Sequence, residues 1–164
     1  MTLTLILMRH AKSSWDSPNL ADHDRPLNPR GQAAAVAIGD WMRAQGNVPD
    51  AAVSSSSQRT GETFVGLGLD VPVSFTQTLY HAGPEVMMEV LRGQSADTVL
   101  MLGHNPGIAD FADRLVSAPP RHPRFADYPT GAVTVIEFDA PTWGDIGWRA
   151  GVPVAFVIPR EVML

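Results

Sequence analysis

Thr2-Leu3-Thr4-Leu5-Ile6-Leu7-Met8-Arg9-His10 opens with an apolar, β-forming run that ends abruptly in a guanidinium and an imidazole. A short apolar run bounded by polar residues reads as a buried strand feeding a loop. The pattern recurs twice: Ala52-Val53-Ser54-Ser55 leads on to Arg59, and Leu100-Met101-Leu102-Gly103 runs into His104-Asn105. In a parallel α/β sheet the carboxyl ends of the strands line one edge, and ligands bind in the crevice there. Arg9, His10, Arg59 and His104 are therefore expected to meet at one place.

The segments between these runs supply the helices. Ala11 to Leu27 carries Ser, Pro, Asn and Asp without a helical period and reads as a long loop, a length usually tied to function. Asn28-Pro29 offers an N-cap and a first-turn proline, Gln32 to Ala44 continues as a helix, and Gly46 stops it. A second strand is expected over Ala51 to Ser54, a helix from Gln58 to Gly66, and a third strand over Val71 to Phe75. A helix over Pro84 to Arg92, the apolar strand Thr98 to Leu102 and a helix from Pro106 to Val116 follow. A Pro-rich loop, Ala118 to Pro129, precedes two late strands over Ala132 to Phe138 and Val154 to Ile158. Strands alternating with helices, closed by a strand pair, describe a single three-layer α/β domain over residues 1–164 with a mostly parallel central sheet.

Composition narrows the function. A chain of 164 residues, 45% of them hydrophobic, is long enough to bury a core. A net charge of −5 argues against sequence-independent nucleic-acid binding, so any anion site must be built locally. Cysteine is absent, which removes disulfides, a thiolate nucleophile and a Cys-based zinc site. The opening apolar run is too short for a membrane span and lacks a basic leader, so a cytoplasmic protein is expected. Lys12, the only lysine among twelve basic residues, lies directly after Arg9-His10 and is a candidate phosphate contact.

Two guanidiniums and two imidazoles without a nearby carboxylate would suit a dianion, because the arginine fork matches phosphoryl oxygens. Asn105-Pro106 would add a helix start, whose free N–H groups favour anions. A neutral imidazole is a competent nucleophile near neutral pH, where a hydroxyl needs a separate base. His10 could then attack phosphorus, and His104, if cationic, would join the arginines in holding the oxygens.

Four ordered motifs resemble the histidine phosphatase (phosphoglycerate mutase-like) superfamily. Leu7-Met8-Arg9-His10-Ala11 is similar to its Arg-His-Gly signature with Ala for Gly, and Asp24-Arg25-Pro26-Leu27-Asn28-Pro29-Arg30-Gly31 to its loop-to-helix segment. The run Ser54 to Thr63 and Gly103-His104-Asn105-Pro106 resemble the segments that carry the second arginine and second histidine. Arg9-His10-Ala11-Lys12-Ser13, Pro129-Thr130-Gly131-Ala132 and Pro159-Arg160-Glu161 look most like the short SixA-type phosphohistidine phosphatases. The resemblance implies a nucleophile at His10, phosphoryl binding by Arg9, Arg59 and His104, no metal or cofactor, and no large cap domain. Lys12, Arg25 and Asn105 are further candidate substrate contacts.

Larger members of the superfamily carry a carboxylic general acid after the third strand. Here that stretch is Leu79-Tyr80-His81-Ala82-Gly83, so the candidates are His81 and, in the long loop, Asp24. Without a dedicated acid the site suits a leaving group that departs easily. Imidazole, with a conjugate-acid pKa of about 6.5, leaves more readily than an alkoxide. The expected substrate is therefore a phosphohistidine on a protein partner, with a small phosphoester as the alternative. A phospho-binding module without turnover is a second reading. A metallohydrolase using His23, His81, His104 and His122 is disfavoured by spacing, and a serine hydrolase or P-loop protein by missing motifs.

Overall fold

A computed structural model describes residues 1–163. Its strands are β1 (Thr2–Arg9), β2 (Ala51–Ser55), β3 (Val73–Thr76), β4 (Thr98–Gly103), β5 (Val133–Asp139) and β6 (Val152–Val157). The helices are α1 (Pro29–Ala44), α2 (Gln58–Leu67), α3 (Pro84–Arg92), α4 (Gly107–Leu115) and the short α5 (Pro159–Val162). The strands form one sheet in the order β3-β2-β4-β1-β5-β6. β1 to β4 run parallel, whereas β5 is antiparallel to both β1 and β6.

Period-two alternation along β1 decides which side chains each face receives. Leu3, Leu5 and Leu7 pack with Val99 and Met101 of β4 beneath Met88 and Leu91 of α3 and Phe111 of α4. Ile6 and Met8 point the other way, with Leu100 and Leu102, onto Ile38 and Met42 of α1 and Leu67 of α2. Each such aliphatic side chain contributes roughly 1.5–3 kcal/mol on full burial, so β1 and β4 are anchored from both faces. The result is the expected three-layer α/β arrangement.

β1 and β4 are neighbours whose following helices cover opposite faces of the sheet, α1 on the way to β2 and α4 on the way to β5. The separation of the two helix starts leaves a crevice at the carboxyl ends of the strands. The α1 start presses into the segment after β1: a Cβ on Gly31 would overlap the Lys12 carbonyl oxygen. The same carbonyl accepts the Asn28 N–H at 3.0 Å, and Asn28 Oδ1 caps the Gly31 N–H at 2.7 Å. The N-cap and first-turn proline are thus placed as the sequence implies.

Several boundaries differ. β3 begins at Val73 because Pro72, which has no N–H, supplies only its carbonyl to Ala52. β6 begins at Val152 and contains Pro153, which an edge strand tolerates, and the β5–β6 register slips between Val135 and Ile136. α5 was not foreseen; Pro159 starts it, and Glu161 Oε1 accepts the Ile158 N–H. No helix among the described residues is long and apolar enough to cross a membrane.

Candidate active site

Arg9 ends β1, His10 follows it, and Arg59 stands in the first turn of α2, whose N-cap Ser57 accepts the Thr60 N–H. His104 follows β4, and the His10 N–H bonds the Gly103 carbonyl at 3.2 Å. A cleft of about 570 Å³ gathers all four, with Lys12, Arg25 and His81 at its walls. The strand-end expectation is met, and the centroids of the His10 and His104 rings are 5.3 Å apart.

His10 Nδ1 donates to the Ala11 carbonyl at 2.7 Å, which fixes the tautomer and leaves the Nε2 lone pair unprotonated. Burial, reinforced by the charges of Arg9, Arg59 and Arg25, lowers its pKa to about 3 despite the opposing hydrogen bond to Ala11. The neutral imidazole is therefore the resting form. Ala11 is fully buried and its N–H bonds Thr63 Oγ1 at 3.0 Å, so the alanine fits where glycine stands in the related signature.

Two guanidiniums, Arg59 buried and Arg9 half-buried, share the cleft with this ring. Arg9 Nη1 donates to the Tyr128 carbonyl at 3.1 Å, and Arg59 Nη1 to the Asp22 carbonyl at 2.7 Å. The Nε–H of each is buried and has no partner among the described residues. An unsatisfied buried donor costs about 1–3 kcal/mol, and more on a charged group, which anion oxygens would relieve. Arg9 and Arg59 also repel one another, and burial with that repulsion lowers the Arg9 pKa.

Four sequence expectations are corrected here. First, the cleft does contain carboxylates: Asp127, held by Arg124, and Asp22. Asp22 bonds Arg59 Nη2 and His81 Nε2 at 3.0 Å each, Arg25 Nη1 at 3.0 Å, and the Tyr80 hydroxyl. Burial would raise the Asp22 pKa, but the hydrogen bonds from Tyr80, His81, Arg59 and Arg25 outweigh it and hold the group well below the usual carboxylate range. Second, Asp24 does not line the cleft; its carboxylate lies 3.6 Å from His23 Nδ1. Third, His104 is not a resting cation. Burial, then the charges of His10, Arg59 and His81, lower its pKa to about 3. Arg59 Nη2 donates to Nδ1 at 3.3 Å, so Nε2 carries the proton and donates to Ser55 Oγ at 2.8 Å.

Fourth, Asn105 is occupied. Its amide donates to the Asp127 and Tyr128 carbonyls at 2.8 and 3.1 Å, and its oxygen accepts the Ala109 N–H. The Ile108 and Asp110 N–H groups of α4 bond His104 and Pro106 carbonyls, so this helix start is not an open anion site. Asn105 instead holds the loop whose Tyr128 carbonyl receives Arg9. Lys12 is exposed at the rim, whereas Arg25 is buried, bonding Asp22 and Ser13 and lying 3.3 Å beneath the Trp15 ring. His81 takes a positive φ of 52°, stacks on His104 at 5.1 Å and reaches Asp22, so it lines the site as expected.

Asp22, Trp15, Tyr80 and Tyr128 were the residues missed. Only the loop length pointed to the first two. Tyr128 is fully buried, and its hydroxyl donates to the Leu7 carbonyl at 2.6 Å, tying the loop before β5 to β1.

The depressed histidine pKa values make stability pH-dependent. Between the unfolded value of about 6.5 and about 3, the unfolded chain binds more protons than the folded one. Stability is then fully present above 6.5 and falls on acidification, by up to about 1.4 kcal/mol per pH unit for each ring. Urea melts at pH 7 and pH 5 should show a smaller acid loss in His10→Ala than in wild type. Equal losses would contradict the assignment.

Residues 5–82 match the histidine phosphatase superfamily (branch 1). An uncharacterised protein of Mycobacterium tuberculosis is 34% identical over 160 residues, covering 93% of this chain and all of its own. The structure of a candidate phosphohistidine phosphatase, SixA of Nakamurella multipartitia, matches with a TM-score of 0.86 and 29% identity over 97% of both chains. The protein histidine phosphatase SixA complexed with tungstate shares the fold at a TM-score of 0.78 and 17% identity, over 97% of this chain and 99% of its own. With the sheet order, the cleft and these relatives together, the chain belongs to the histidine phosphatase superfamily and is similar in structure to its SixA members.

Proposed function

We propose that the protein removes phosphoryl groups from phosphohistidine on a protein partner, through a phosphohistidine of its own at His10 and without a metal. The observation that carries the reading is the buried His10 ring, with Nδ1–H bound to Ala11 and Nε2 unprotonated, beside two guanidiniums whose Nε–H groups lack partners. The Nε2 lone pair forms a bond to phosphorus as the bond to the departing imidazole breaks. Arg9 and Arg59 neutralise charge on the equatorial oxygens, the main requirement of phosphoryl transfer. Water then attacks phosphorus, the His10–phosphorus bond breaks, and phosphate leaves with the neutral ring restored. His104 is held by Arg59 and Ser55, its Nδ1 accepting from the guanidinium, which fixes the ring beside the arginines that meet the dianion.

The state of Asp22 argues for the leaving group. Ionised and held by four donors, it has no proton to give an alkoxide, and His81 Nε2 is engaged with Asp22. Imidazole needs far less help to depart. The cleft also lies open at the sheet edge, with no inserted domain between β3 and α3 to enclose a small ligand.

The test is a comparison of kcat/KM on a phosphohistidine protein and on sugar phosphates, in the presence of a chelator. The expected preference for phosphohistidine is about 10²-fold or more, the lower range of what a missing general acid costs an alkoxide. Faster turnover of sugar phosphates would reject the substrate assignment, and loss of all activity on chelation would reject the metal-free mechanism.

A further inference from the structure

A second cleft of about 180 Å³ adjoins the first and shares Lys12, Arg124, Pro129 and Thr130 with it. Arg30 and Arg160 complete its cationic rim, and no acidic residue lines it among the described residues. Together the two clefts hold seven of the twelve basic residues: Arg9, Lys12, Arg25, Arg59 and Arg124 in the first, Arg30 and Arg160 added by the second. The chain has seventeen acidic residues and a charge of −5, so this concentration is not a general property of its surface.

The cations reach the cleft from four separate places: the segment after β1, the first turn of α1, the loop before β5 and the first turn of α5. Arg124 is forked onto Asp127, whereas Lys12, Arg30 and Arg160 have no acidic partner among the described residues. Arg30 is also set against its own helix. It occupies the positive end of α1, where acidic residues are favoured and none is present. Like charges gathered there destabilise the free protein slightly, which calls for a compensating ligand. The floor is apolar, formed by Ala34, Ile158, Pro159 and Met163.

We infer that this second cleft is a docking subsite for an acidic segment of the protein partner, beside the phosphorylated side chain that enters the first. Carboxylates of such a segment pair with Lys12, Arg30 and Arg160, while its apolar side chains cover the floor. A compact bisphosphate would satisfy the rim and leave that floor exposed. The inference rests on the protein-phosphohistidine reading for its partner, but the subsite itself can be tested apart from turnover. Electrostatic complementarity of this kind raises the association rate and selects partners more than it changes the chemical step.

The test uses Arg30→Gln/Arg160→Gln, two exposed positions outside the first cleft. Substrates are p-nitrophenyl phosphate, a phosphohistidine peptide flanked by glutamates, the same peptide flanked by alanines, and propane-1,3-diyl bisphosphate. Wild type should favour the glutamate-flanked peptide by about tenfold in kcat/KM, the worth of two exposed ion pairs. The double variant should lose that preference and hydrolyse p-nitrophenyl phosphate as wild type does. A preference absent from wild type, kept by the variant, or lost only for the bisphosphate would overturn the assignment. If neither peptide is turned over while p-nitrophenyl phosphate is, the phosphohistidine reading fails instead. The subsite is then judged by fluorescence anisotropy of a labelled, unphosphorylated hexaglutamate peptide. Weaker binding by the variant supports the subsite, and equal binding rejects it.

Discussion

His10→Ala abolishes turnover of every phosphorylated substrate, by about 10⁴-fold or more in kcat, while the protein remains folded. The expectation follows from what the ring alone supplies. It offers an unprotonated nitrogen without a donor, on a fixed tautomer after β1, whereas His104 Nδ1 already accepts from Arg59. Melting should be little disturbed at neutral pH, because β1 stays anchored by Leu5, Ile6, Leu7 and Met8, all fully buried. Stopped assays of phosphate release on wild type and variant, with thermal melts as control, check it. Retention of more than about a hundredth of wild-type kcat would mean that another group attacks phosphorus.

The second large effect is at Arg59. Only 3% exposed, it joins the Asp22 carbonyl, the Asp22 carboxylate and His104 Nδ1, and its buried Nε–H has no partner among the described residues. Arg59→Ala removes charge that stabilises the transferring phosphoryl group, so kcat/KM should fall by about 10²–10³-fold. It also leaves the ionised Asp22 supported only by Arg25, Tyr80 and His81, so its carboxylate would repel the substrate it formerly made room for. Arg59→Lys should restore little, since a single ammonium cannot meet Asp22 and His104 in one plane. Activity within tenfold of wild type in either variant would contradict the role.

What the sequence made legible was local. The apolar, β-forming run up to Met8 identified a buried strand, and Asn28-Pro29 marked the start of α1. Arg9, His10, Arg59 and His104 could be placed together because each follows a strand of the same parallel set, so a topological rule converts sequence position into proximity. Asp22 could not be read that way. Its place depends on how the loop from Ala11 to Leu27 folds back over β2 and α2, through the Ser13–Leu27 bridge and the His23–Ser56 hydrogen bond. Asp24 and Asp22 are indistinguishable in sequence; only the turn over Asp22–Asp24 decides which faces the arginines. The charge of His104 was not legible for a related reason. Sequence could only make its role conditional on a positive charge, whereas burial beside His10 and Arg59 decides the resting state. Asn105 looked like a ligand contact because its motif adjoins His104, while the backbone carbonyls that claim its amide come from the loop at Asp127 and Tyr128.

The most direct measurement is the identity of the phosphorylated atom. Rapid-quench trapping with a labelled phosphoryl donor, followed by peptide mapping, should place the label on His10 as an acid-labile, alkali-stable phosphoramidate that disappears on a chase with unlabelled substrate. Label on a serine of the Ser54–Ser57 run, on Asp22, or a turning-over enzyme that never carries label would contradict the account.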